Sequence, residues 1–69
     1  MSIRRLSGQL AHLAMGQSVG VARADCDKIF PPGLHTTDGR AAMYSLANAL
    51  GCDVHWNDAL GIIHFAKRA

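Results

Sequence analysis

The sequence contains no glutamate, only two cysteines and two prolines, and few aromatic residues, at 6% of the chain. No apolar run approaches the ~18 to 20 residues that a transmembrane helix requires, and the opening residues lack the continuous apolar core of a secretory signal. These absences predict a soluble, cytoplasmic chain with no membrane partner. Cys26 and Cys52 come without an export signal and are too few for a disulfide framework, so two reduced, largely buried thiols are expected. There is no Gly-rich phosphate loop, no Cys-x-x-Cys or His-x-x-x-His spacing, and no paired acid and base on a common face. No catalytic residue, metal or cofactor is therefore expected.

What is present is the composition of a folded globule. At 69 residues the chain accommodates one core, and 49% of it is hydrophobic, spread along the length and broken by polar positions. A domain this small buries only about 60% of the surface that its unfolded chain exposes, which leaves a homodimer open as a supplement to its stability. The formal charge of +2 arises from seven Lys and Arg against five acidic residues, with Arg4, Arg5, Lys67 and Arg68 clustered at the two ends. So mild an excess permits a nucleic-acid partner without requiring one.

Periodicity divides the chain into elements. Ile3, Leu6, Leu10, Leu13 and Ala14 recur at spacings of three and four and predict a first helix, with Ser7 as a candidate cap, Gly8 weakening its first half and Gly16 as its stop. Val19 and Val21 alternate with small residues across 17–23 and predict a strand. The 24–35 stretch, with Asp25, Asp27, Pro31, Pro32 and Gly33, reads as a loop anchored by Ile29, Phe30 and Leu34. Thr36 or Thr37 is suited to cap a second helix that exits at Gly51, with Asp38 at its positive end and Ala42, Met43, Leu46, Ala47, Ala49 and Leu50 as its apolar face.

The final stretch alternates twice and predicts a hairpin turning over Asp58 to Gly61. Pairing Trp56 with Ile63 and Val54 with Phe65 places four large apolar groups on one face, whereas a one-residue slip would expose half of them. The same register sets His55 opposite His64, and Asn57 opposite Ile62, on the other face. The fold class expected is α+β: a single small domain over 1–69 in the order α-β-α-β-β, with a three-stranded, mainly antiparallel sheet and helices packed on one face.

With the elements placed, Gly16-Gln17-Ser18-Val19 leading into a strand, and Arg40-x-x-x-Tyr44-x-x-Ala47-x-x-Leu50-Gly51 running into a hairpin, give the chain from Leu10 onward an outline that resembles small accessory proteins encoded by bacteriophages and prophages. The second strand, Asp53-Val54-His55-Trp56, departs from that group, where basic and threonine residues are more usual. The resemblance implies a non-enzymatic role inside a bacterial host cell, in which the chain binds a host or viral protein and inhibits or modulates it, for example a defence complex.

Two sets of residues can be weighed against that role. Tyr44, His55, His64, Ile62, Ile29 and Phe30 offer the aromatic and apolar mixture that protein interfaces favour. Arg4, Arg5, Arg23, Arg40, Lys67 and Arg68 are the cations available to a nucleic acid if the chain ends meet, which is the reading of a small DNA-binding regulator. His55 and His64 lie close enough to share a metal ion, but two ligands are too few, and Asp53 on the same face as a third is supported by no ligand spacing, so no metal is expected. If this pair faced a partner, protonating both imidazoles would create like-charge repulsion and make binding sensitive to pH. Trp56 and Phe65 share parity with Val54 and Ile63, so they are expected in the core rather than as stacking platforms for bases.

Overall fold

A computed structural model describes residues 2–68. Helix α1 spans Ile3–Ala11, strand β1 Ser18–Ala22, helix α2 Arg23–Ile29, helix α3 Thr37–Ala49, strand β2 Cys52–Asn57 and strand β3 Ile62–Lys67. The α+β class holds. The order contains one helix more than the alternation predicts, because the first half of the 24–35 stretch is helical. The signals for α2 are short but real. Asp25 sits in its first turn and Lys28 in its last, matching the helix dipole, while Cys26 and Ile29 turn one stripe inward. Pro31 and Pro32 stop it two residues later, since proline can neither donate to a helical turn nor follow one comfortably.

Helix α1 starts earlier and stops earlier than the pattern suggests. Ser2, not Ser7, is its cap, with Oγ accepting from the Arg5 N–H at 3.2 Å, and the helix closes at His12 rather than at Gly16. Leu6 and Leu10 are fully buried, whereas Leu13 packs on the core from outside the helix and Ala14 is exposed.

Helix α3 begins where its cap predicts. Thr36 Oγ1 accepts from the Gly39 N–H at 3.0 Å and donates to the Gly33 carbonyl at 2.7 Å, pinning the helix to the turn before it. Gly51, at φ +73°, takes the left-handed conformation that ends the helix, where a side chain would be strained. The buried stripe is Gly39, Met43 and Ala47, at intervals of four. It is narrower than expected: Leu46 and Leu50 are half-buried, and Ala42 and Ala49 are exposed.

The sheet is antiparallel throughout, in the order β1-β3-β2, so the last strand in sequence is central. The hairpin register is the one that the apolar pattern demands: Val54 pairs with Phe65, Trp56 with Ile63, His55 with His64 and Asn57 with Ile62. On the other side of β3, Val19 faces Phe65 and Val21 faces Ile63. Alternation therefore gathers Val21, Ile63 and Phe65 on one face, where they close a core with Leu6, Leu10, Cys26, Met43 and Ala47 from all three helices. Trp56 and Val54 pack against its margin. The opposite face of the sheet contributes nothing to that core.

Candidate interaction surface

The outward face of the sheet is built in three rows by the two registers. Ser18, Ala66 and Asp53 form the first, Gly20, His64 and His55 the second, and Ala22, Ile62 and Asn57 the third. None of these residues is buried. The β1 positions are the smallest, and this shapes the surface. A Cβ on Gly20 would come within 3.1 Å of Ile62 Cγ2 and 3.3 Å of His64 Cε1, so the bare glycine is what lets those two side chains lie over β1. No strand position on this face carries Lys or Arg, and its carboxylate is Asp53.

The structure thus brings His55, His64 and Ile62 together. Of the other residues proposed beside them, Tyr44 meets His55 across the groove beside β2, and Ile29 and Phe30 lie apart. Tyr44 is 45% exposed but lies on α3, where its hydroxyl accepts from Trp56 Nε1 at 2.7 Å. Ile29 and Phe30 are 6% and 1% exposed, which places them in the core as anchors and removes them from any surface. Their apolar character is visible in the sequence; their direction depends on α2.

The cations divide in the same way. Lys67 Nζ donates to the Leu50 carbonyl at 2.7 Å, and Arg68 donates to the Asn48 carbonyl at 3.4 Å and to Asn48 Oδ1 and Asp53 Oδ1 at 3.1 Å. Both therefore satisfy the carbonyl end of α3, which has no basic residue in its own last turn. Arg23 lies over the Trp56 ring, 5.4 Å from its centroid. Arg4, Arg5 and Arg40 remain on the exposed surface, the first two in the opening turn of α1 where the helix dipole gives them no support. Sequence spacing gives no sign of the Arg23–Trp56–Tyr44 contacts, which join three elements.

A groove beside β2 likewise has no signature in the sequence. Ala41, Tyr44, Ser45 and Asn48, at helical spacings of three and four along α3, form one wall of this open groove of about 750 Å³, whose other wall includes Asp53 and His55 of β2. Because β2 is an outer strand of the sheet, the groove runs beside a free edge.

Neither cysteine is placed for chemistry. Both are reduced and buried, and burial, with Asp27 and then Asp25 adding to it, pushes the Cys26 thiol up from 9.0 to about 11. That direction sets the sign for stability. Unfolded chains ionise this thiol from pH ~9 upward while the folded protein holds it protonated to about 11. Stability present below pH ~9 is accordingly lost as pH rises toward ~11, by about 2 to 3 kcal/mol in total. Urea titrations across this range should show that decline, and Cys26→Ala should flatten it; an identical decline in the variant would assign the effect to another group.

Among the described residues, no three His, Cys, Asp or Glu side chains come together as metal ligands, and no helix is long and apolar enough to cross a membrane. Comparison of the chain with protein-family models, with curated proteins and with solved structures gave no match.

Proposed function

We propose that this chain is a non-enzymatic accessory protein, of the kind that phages encode, which docks through the outward face of its sheet on a host or viral protein and modulates it. The observation that carries this reading is the face itself: Ile62, His64 and His55 stand in a row-and-column array beside the small residues of β1, none of them buried. His64 at the middle of the central strand, His55 beside it and Ile62 at the end of the same column, with Ser18, Asp53 and Asn57 at the margins, give the mixture of aromatic, apolar and polar groups that protein interfaces favour. A phosphate backbone would need cations there. No strand position on the face supplies one, Lys67 and Arg23 are engaged elsewhere in the fold, and Arg68 at the margin is held by Asp53 and Asn48, which favours a protein partner over a nucleic acid.

Immobilised protein is expected to retain a specific protein from lysate of the cell that makes it, after nuclease treatment and at about 0.5 M salt, where phosphate contacts are lost. Ile62→Ser with His64→Ser should weaken that retention at least ~10-fold with the fold intact. Retention that vanishes with nuclease, or on replacing Arg4, Arg5 and Arg40, would instead establish the nucleic-acid regulator.

A further inference from the structure

The free edge of β2 carries a second recognition element, which shares Asp53 and His55 with the outward face but rests on the strand's unpaired backbone groups. Antiparallel pairing alternates: residues whose N–H and C=O point at the neighbouring strand are followed by residues whose groups point away. Arg68 N–H donates to the Gly51 carbonyl at 2.9 Å, which fixes the phase. Gly51, Asp53, His55 and Asn57 turn their backbone groups toward β3, and Cys52, Val54 and Trp56 turn theirs outward. No backbone group of these three is bonded to a turn, loop or side chain among the described residues.

We infer that this edge pairs with the β2 edge of a second copy of the chain, about a two-fold axis through Val54, to form a continuous six-stranded sheet. A two-fold arrangement must place outward-pointing residues opposite one another, which restricts the register to a few choices. Centring on Val54 sets Cys52 opposite the partner's Trp56 and Val54 opposite the partner's Val54. Together with the symmetric copy of the first, these pairs would form about six backbone hydrogen bonds. The same register sets Asp53 opposite the partner's His55, and His55 opposite the partner's Asp53. Those positions are the closely spaced pairs of the new ladder, where Asp53, whose Oδ1 already accepts from Arg68 of its own chain, keeps its second oxygen to accept from the partner's imidazole, whereas two facing carboxylates would repel. One neighbouring register fails by the same test, setting Asp53 against the partner's Asp53; the other sets His55 against the partner's His55, an opposition like that of His55 and His64 within the chain, and gives up the exchange with Asp53.

The surroundings fit this occupant. The groove between α3 and β2 leaves the edge uncovered, and across the axis it is the space that the partner's α3 would enter. Ala41 and Ser45 are the small residues on that side of α3, suited to close helix approach. The opposite edge of the sheet, β1, offers no such charge pattern, being Ser-Val-Gly-Val-Ala.

Exchange of charge tests the pairing. Wild-type protein should sediment at about twice 7.4 kDa. Asp53→Lys sets a lysine against the partner's His55, and His55→Asp sets an aspartate against the partner's Asp53, so each alone should weaken self-association at least ~10-fold. In an equimolar mixture of the two variants the introduced lysine faces the introduced aspartate, the remaining histidine faces the remaining aspartate, and dimers should return. Should either variant fail to fold by circular dichroism, hydrogen exchange on the wild type decides: protection of the Cys52, Val54 and Trp56 amides should rise with protein concentration. A wild type that stays monomeric to about 1 mM overturns the inference. So does a mixture that associates no better than its components, or concentration-dependent protection at Ser18, Gly20 and Ala22 instead.

Discussion

Replacing Gly39 by alanine is expected to unfold this protein or to cost it at least ~3 kcal/mol, although the same exchange in an ordinary helix interior stabilises by up to about 1 kcal/mol. The reversal comes from what lies against α3. A Cβ at residue 39 would run into the Gly33 carbonyl group and stand 3.0 Å from the Phe30 carbonyl oxygen. Both obstacles are backbone, and the Gly33 carbonyl is already committed to Thr36 Oγ1, so neither can rotate away as a side chain would. Relief requires lifting the first turn of α3 off the 30–33 turn, which opens the core at Phe30, Leu34 and Met43. A domain of this length has a total stability on the order of 3 to 10 kcal/mol, so the loss is from about a third to all of it. Urea denaturation of the variant measures this directly. A Gly39→Ala protein as stable as wild type would mean that α3 does not lie on that turn.

The second large effect separates the two faces of one strand. Phe65→Ala should cost about 3 to 5 kcal/mol, the penalty for emptying a fully buried aromatic site, while Ile62→Ala should cost no more than ~1 kcal/mol. Phe65 is 0% exposed at the middle of the central strand, held between Val19 and Val54. Ile62 belongs to the outward face and is only partly covered by its neighbours. Comparable losses at the two positions would show that both faces are buried, and the surface assigned to recognition would then be part of a core.

Much of this architecture is legible without coordinates, and the reasons are physical. The hairpin register follows from four bulky apolar residues at alternating positions, because a period of two tolerates no slip when one face must be buried. The limits of α3 follow from Thr36 and Gly51, whose chemistry is specific to helix ends. Helix α2 is hidden because seven residues give two turns and too few inward positions to establish a period, and the prolines just beyond it advertise a loop. The start of α1 is hidden because Gly8 lowers helix propensity where a cap at Ser2 and burial of Leu6 and Leu10 override it. Of the candidate surface, His55, His64 and Ile62 are legible through pairing alone. The duties of Lys67 and Arg68 are not, since both reach residues 15 or more positions away, and no local pattern encodes which way β3 delivers them.

The central position of β3 also constrains how the chain acquires its shape during synthesis. Strands β1 and β2 share no ladder; each bonds to 62–67, and Ser18 waits for Ala66. A growing polypeptide can wind its helices early, but their apolar stripes have no floor to rest on until those six residues clear the ribosome. Assembly is thereby a late, single event, and a chain released after ending within the hairpin turn leaves Leu6, Leu10, Met43 and Phe30 uncovered together, a substrate for chaperones or proteases rather than a partly working protein.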